Sequence, residues 1–280
     1  MASLREIKDR IGSVKSTLKI TSAMKLVASS KLRKAQKAIE TLRPYEAALC
    51  DTLAQLTAEG VDVAPASGRD GLSGPAALVV ISSNSSLCGA FNVNVIKKAL
   101  EELDGIDCAD VFAVGRRGAD ALRKKGYPSG DWSELVAHPS YKASTALAEI
   151  LAGRFFEGKY SKVLLVYNHF VSTSHQEVIV EQYLPFASPS ASCGADPDLY
   201  LIEPGREEVL KELIPKVLAL KFHAAILDSV AAEHAARTVA MQTATDNAHE
   251  LLDDLTLEYN KGRQQKITSE ILDLLGGKTL

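Results

Sequence analysis

Glycine and proline are nearly missing from the two ends of this chain. Residues 1–43 contain one glycine, Gly12, and no proline, while no proline follows Pro215 and no glycine lies between Gly205 and Gly262. The two residues that interrupt helices most strongly are therefore absent where the chain begins and ends, and both ends are free to form very long helices. Aromatic residues make up 6% of the chain, and none lies in residues 1–44. A nucleic-acid-binding arm there would lack the stacking surfaces such proteins use, so no nucleic-acid partner is expected. The four cysteines, Cys50, Cys88, Cys108 and Cys193, show no CxxC or other metal spacing, as expected of reduced thiols in a cytosolic protein. His138, His169, His175, His223, His234 and His249 never fall into HxxxH or HExxH spacing, so no metal site is expected. Neither GxGxxG nor GxxxxGK[ST] occurs, and no carboxylate pair stands at strand ends as an acid/base couple requires. No cofactor and no catalytic residue are expected. No apolar run approaches the roughly 20 residues of a membrane span, and no leader is legible before Leu4, so membrane association is expected only through partners.

What is present begins with a seam. In alternating steps of three and four, residues 4–56 read Leu4, Ile7, Ile11, Val14, Leu18, Thr21, Lys25, Ala28, Leu32, Ala35, Ile39, Leu42, Glu46, Leu49, Leu53 and Leu56, with thirteen of the sixteen positions apolar. A narrow stripe of period 3.5 is the mark of a coiled coil. At ~1.5 Å per residue such a helix reaches roughly 80 Å and needs a long partner. Pro44 is expected to kink it, with Leu49, Leu53 and Leu56 resuming the register. Thr21 and Lys25 break the stripe, which predicts locally weaker pairing.

Charge is distributed unevenly. Residues 1–43 hold eleven Lys or Arg against Glu6, Asp9 and Glu40, a balance of +8 in a chain whose net charge is -3. That asymmetry points to an acidic partner for the first helix.

The middle of the chain changes period. Ala76 to Ile81 is a continuous apolar run typical of a strand buried on both faces. A helix over about 93–103, a strand at 110–114, a short helix to Lys125, a helix over 141–158, a strand at 163–167 and another at 177–184 complete an alternating pattern. It predicts a small, mainly parallel, Rossmann-like α/β domain. A short acidic turn around Glu207, Glu208 and Glu212 ends at Pro215. Beyond it Val217, Leu220, Ala224, Leu227, Ala231, Ala235, Thr238, Met241, Thr245, Ala248, Leu252, Leu255 and Tyr259 continue a three-four seam, rich in Ala and Thr between 224 and 248. The expected fold is α/β. A long antiparallel two-helix coiled coil forms from the N- and C-terminal segments, with the α/β domain inserted between them. The expected divisions are 1–59, a linker at 60–75, the α/β domain at 76–205 and the second helix at 206–280.

One turn is a candidate site. Ser82 to Asn92 follows a buried strand and precedes a helix, the usual ligand position in an open α/β sheet. Asn92 is placed to cap that helix, leaving N–H groups suited to an anion. The competing reading, a tight turn of small residues that packs or contacts a neighbour, is favoured because no phosphate-binding motif accompanies it. Gly115-Arg116-Arg117-Gly118 reads as a basic helix start on the surface. Cys88 lacks a His partner placed near it in sequence, so nucleophilic catalysis has no further support.

Four collinear motifs carry a resemblance. Ile20-Thr21-Ser22-Ala23-Met24-Lys25-Leu26-Val27-Ala28-Ser29-Ser30-Lys31, the turn Ser83 to Asn92, Glu233 to Met241 with Ala244-Thr245-Asp246-Asn247-Ala248, and Tyr259 to Thr268 resemble signatures of the gamma subunits of rotary F-type ATP synthases. The chain departs from that pattern at Asn84, Ser85, Ser86, Ala90 and Gly262. The resemblance implies a non-catalytic central shaft. Its partners would be three alpha and three beta subunits, an epsilon subunit and a membrane ring of c subunits, at the cytoplasmic face of a bacterial plasma membrane. It implies contact or coupling with beta for Met24, Lys25, Arg237, Gln264 and Thr268. Ile271, Leu272, Leu274 and Leu275 would form the tip that turns in a hydrophobic collar. It leaves Leu87, Cys88, Gly89 and Asn92 as a turn without an assigned role. The alternative kept open is a nucleotide-binding α/β enzyme carrying a coiled-coil adaptor.

Overall fold

The computed structural model describes residues 3–57, 74–106, 110–130, 132–186, 202–203 and 205–276. Its elements run α1 (Leu4–Thr57), β1 (Ala77–Ile81), α2 (Phe91–Asp104), β2 (Asp110–Val114), α3 (Arg116–Lys124), α4 (Glu134–Ala137), α5 (Tyr141–Phe156), β3 (Val163–Phe170), β4 (Gln176–Leu184) and α6 (Arg206–Gly276). Two compact units emerge, one of residues 1–28 with 237–280 and one of residues 29–236. Both long helices pass from one unit into the other without a break. The expected linker falls almost wholly outside the described residues, as do Cys108 and Cys193.

In the larger unit the sheet order is β2-β1-β3-β4, with β1 parallel to β2 and β3, and β4 antiparallel to β3. Side chains along β1, β2 and β3 alternate between two cores, as the period of two requires. Ala77, Val79, Ile81, Phe112, Val114, Val163, Leu165 and Tyr167 face one core. Leu32, Leu53 and Leu56 of α1, Leu147 and Leu151 of α5, and Leu218, Phe222 and Ile226 of α6 complete it. Leu78, Val80, Val111, Ala113, Leu164 and Val166 face the other, closed by Val95, Ala99, Ala119 and Leu122. That explains the unbroken apolar run of β1, which is buried along its whole length.

Three expectations are corrected. The segment before Pro215 is not a separate turn, because α6 starts at Arg206 and carries Pro215 inside it. An internal proline costs a helix about 3 kcal/mol. Here its ring is exposed while Leu210, Ile214, Val217 and Leu218 on either side are buried, at about 2 kcal/mol each. Tertiary burial therefore outweighs the local break. Between Gly130 and Pro139, read as loop, α4 forms one helical turn because Leu135 and Val136 are buried. β3 extends to Phe170 instead of Tyr167, since pairing through Phe170 opposite Gln176 satisfies its backbone in the hairpin with β4.

Candidate functional surface

In the smaller unit the seam is the buried side of the helices. Every α1 seam residue from Leu4 to Ala28, and every α6 seam residue from Thr238 to Tyr259, is buried or half-buried. Two contacts fix the direction. Thr245 Oγ1 lies 2.9 Å from Thr21 Oγ1, and a Cβ built on Gly262 would lie 3.0 Å from Leu4 Cδ2. Moving towards the start of α1 thus means moving towards the end of α6, so the pair is antiparallel. Thr21 is no weak point. It is buried, contacts the Leu18 carbonyl as well as Thr245, and Thr245 also contacts the Met241 carbonyl. Two hydroxyl protons make two of these three bonds at a time; with Thr245 donating to Thr21 and Thr21 to the Leu18 carbonyl, the polar step is a hydrogen-bonded link across the pair.

Apolar side chains also stand on the outward face of the same stretch, among the exposed Lys15, Lys19 and Lys31. Ile20, Leu26 and Val27 are 60%, 70% and 57% exposed, and Val239 is 42% exposed. Met24 and Lys25 beside them are half-buried, whereas Arg237 is buried. Past Gly262, where Leu4 packs, α6 runs on with every described side chain exposed. Gln264 and Thr268 lie there, the Thr268 hydroxyl donating to the Gln264 carbonyl at 2.9 Å. Ile267, Ile271, Leu272 and Leu274 are 47%, 51%, 61% and 75% exposed. Leu275 lies in the helix, but its side chain is outside the described set. Four exposed apolar side chains are thus gathered in the last described turns of the helix.

The Ser82–Asn92 turn is a clamp. Leu87 and Gly89 have φ of 66° and 60°. Asn92 does not cap α2, whose N-cap residue is Ala90. Its Oδ1 accepts from Ser83 N at 3.0 Å, and its Nδ2 lies 2.8 Å from Ser83 Oγ and 3.1 Å from the buried Cys88 Sγ. Asn84 donates to the Ser133 carbonyl and accepts from Arg116 N at 3.0 Å. Gly118 N donates to Ser82 Oγ at 2.8 Å, and Arg117 N to the Ser83 carbonyl at 3.0 Å. The first N–H groups of α3 are thus occupied by the turn itself, which removes the donors that an anion would need there. The glycines of the 115–118 stretch are buried fittings: a Cβ on Gly115 (φ 110°) would lie 2.1 Å from the Ser82 carbonyl oxygen, and one on Gly118 2.6 Å from Ser82 Oγ. Leu87 at the crest is 59% exposed, a non-glycine residue in a left-handed conformation that costs about 1 kcal/mol.

Sequence reasoning missed a polar cluster inside the larger unit, where Arg43, Glu46, Tyr167, His169, Glu181, Lys221 and Asp228 line a cavity of about 230 Å³. Burial pushes the Glu46 carboxyl and the Tyr167 hydroxyl up from their ordinary values. Nothing in the spacing of these residues along the chain foretells their meeting. Among the described residues no group of three His, Cys, Asp or Glu side chains could hold a metal ion, and no helix is long and apolar enough to cross a membrane.

Known proteins resemble this chain along its length. The family profile described as ATP synthase matches residues 3–279. The ATP synthase gamma chain of Phocaeicola vulgatus is 47% identical over 288 residues, covering 99% of each chain. That of Flavobacterium johnsoniae is 43% identical over 281 residues, covering 99% of this chain and 98% of the relative. Among solved structures, a chain in the Euglena gracilis mitochondrial ATP synthase OSCP/F1/c-ring assembly, rotational state 3, superposes with a TM-score of 0.68. It is 19% identical, with 99% of this chain and 93% of that one covered. A chain of the same organism's ATP synthase rotor in rotational state 1 superposes with a TM-score of 0.66 at 17% identity, covering 94% and 98%.

Proposed function

Because the chain belongs to the ATP synthase gamma-chain family, we propose that it is the central rotor shaft of an F-type ATP synthase. It couples proton-driven rotation of a membrane c-ring to conformational cycling of the catalytic beta subunits, and so to ATP synthesis, and runs in reverse during hydrolysis. The chain itself is non-catalytic. It works with three alpha and three beta subunits, an epsilon subunit and the c-ring, as a peripheral component at the cytoplasmic face of a bacterial membrane. The observation that carries this reading is the helix pair of the smaller unit, sealed along its seam and carrying exposed apolar side chains on its outer face and at its tip.

The mechanism follows from asymmetry. A partner shifts a conformational equilibrium only by binding its states unequally, and a tenfold shift needs a difference of about 1.4 kcal/mol. A shaft whose sides differ supplies that inequality. One side offers Ile20, Leu26 and Val27, and the basic residues of α1 offer positive charge to acidic segments of beta. As the shaft turns, each beta subunit meets a different side. Met24, Lys25, Arg237, Gln264 and Thr268 act in contact or coupling with beta, and Ile271, Leu272, Leu274 and Leu275 turn in the apolar collar of the ring of alpha and beta subunits.

Co-expression with alpha and beta subunits tests the reading. The chain is expected to co-purify with them as one copy per three alpha and three beta, and alone neither to bind nor to hydrolyse ATP. ATP hydrolysis by the isolated chain would instead favour the nucleotide-binding enzyme.

A further inference from the structure

We propose that residues 218–228 of α6 form the torque joint of this shaft, with Tyr183, Glu181, Lys221, His223 and Asp228 as positioning residues that lock the helix in phase with the sheet and α5. The inference rests on the shaft reading, in which the α/β domain sits against the epsilon subunit and the c-ring, and adds to it the place where turning force enters the helix.

The reasoning starts from what apolar packing cannot do. Leu218, Phe222, Ala225 and Ile226 bury α6 in the core. Such contact resists separation but is non-directional, so by itself it holds a helix poorly against rolling or sliding. Hydrogen bonds are directional and weaken steeply once bent. Five polar links, made by four residues of α6, fall within this short stretch. The Tyr183 hydroxyl, on β4 and fully buried, donates to the Leu218 carbonyl at 2.9 Å. Lys221 Nζ pairs with Glu181 Oε1 of β4 at 2.7 Å, while Glu181 Oε2 accepts from the Tyr167 hydroxyl at 3.0 Å. His223 Nδ1 lies 2.9 Å from Ser144 Oγ of α5, and both residues are buried. Asp228 Oδ1 accepts from the backbone N–H of Phe170 at 3.1 Å, and Oδ2 pairs with His169 Nδ1.

The arrangement of these links matters more than their number. Tyr183, Glu181, His169 and Phe170 hold α6 from the sheet, whereas Ser144 holds it from α5. A roll of the helix in either direction therefore breaks links on one side or the other. The Phe170 donor is a backbone atom at the end of β3 and cannot swing after a moving carboxylate. Lys221 also lies over the Phe186 ring at 5.4 Å, which restrains its stem. Arg43 and Glu46 of α1 line the same cavity, so both long helices meet the sheet at this point. From here α6 continues unbroken to Gly276.

The test uses the assembled ATP synthase in inverted membrane vesicles, with gamma carrying Tyr183→Phe, Lys221→Met and Asp228→Asn together. Lys221→Met alone is the second variant should the triple fail to assemble, and Lys221→Arg is the conservative rescue. Leu122→Ala, in the core on the opposite face of the sheet, is the control for lost stability without a lost joint. The readouts are ATP hydrolysis with the gradient collapsed by uncoupler, and the proton gradient sustained at steady state. The joint variants are expected to hydrolyse ATP without load within about twofold of the parent. Their sustained gradient should fall at least twofold, with recovery in Lys221→Arg and no fall in Leu122→Ala. An unchanged gradient in a fully assembled joint variant, or an equal fall in Leu122→Ala, would overturn the proposal. A parent chain that assembled with no alpha or beta subunit would instead sink the shaft reading itself.

Discussion

Replacing Ile271, Leu272 and Leu274 together by serine separates a shaft tip from an ordinary helix end. The three side chains are 51%, 61% and 75% exposed, so roughly two full side chains' worth of apolar surface remains for a partner to cover. Full burial of a Leu or Ile side chain stabilises by about 1.5–3 kcal/mol, which sets an upper bound of about 3–6 kcal/mol for the tip. Association recovers only part of such an area, leaving about 2–4 kcal/mol, or a weakening of binding by some 30- to 1000-fold. In the isolated chain the same substitutions remove almost no packing, so each should change stability by no more than about 0.5 kcal/mol. The assay pairs thermal unfolding of the free chain with titration of labelled chain into alpha–beta hexamers. A loss of affinity below threefold at unchanged thermal stability would refute the collar assignment. A large drop in Tm of the free chain would show that the tip packs within the chain.

Three further outcomes follow from the geometry. Gly262→Ala gains about 1 kcal/mol of helix propensity against a close approach to Leu4 Cδ2, the movable end of a half-buried side chain; Tm should rise by about 1–2 °C, and a fall would show that Leu4 cannot yield. Gly115→Ala places a Cβ 2.1 Å from the Ser82 carbonyl oxygen at φ 110°, so denaturant unfolding should register a loss of about 3 kcal/mol or more, and an unchanged midpoint would contradict the clamp. Burial holds the His223 pKa below its ordinary value, so the unfolded chain takes up that proton first. Its contribution to stability is complete above about pH 6.5 and is lost as pH falls through the lowered folded value. His223→Gln should therefore flatten the loss of stability between pH 7.5 and 5.5, and an identical pH profile in the variant would contradict a neutral buried imidazole.

The helix pair and the sheet were legible because both rest on periodicity. Seam steps of three and four from Leu4 to Tyr259 proved to be unexposed positions, and the unbroken run in β1 proved to lie between two cores. What was not legible depends on partners distant in sequence. Thr21 looked like a fault in the stripe, since its partner Thr245 lies on the other long helix. Pro215 looked like a helix boundary, since its local cost is visible in sequence and the burial of Ile214 and Val217 that outweighs it is not. Asn92 looked like a cap, but Ser83 and Cys88 engage its side chain instead. The cluster around Lys221 joins residues of α1, β3, β4 and α6, and spacing along the chain carries no signal for a meeting of that kind.

Rotation is the most direct measurement of the central claim. Ser174 lies exposed in the β3–β4 turn, so Ser174→Cys offers a site for a probe on a chain assembled with alpha and beta subunits fixed to a surface. With ATP supplied, the account predicts unidirectional turning of the probe in three equal steps per revolution, one for each beta subunit. Sustained ATP hydrolysis by the complex with the probe stationary, in molecules whose probe is firmly attached, would contradict it.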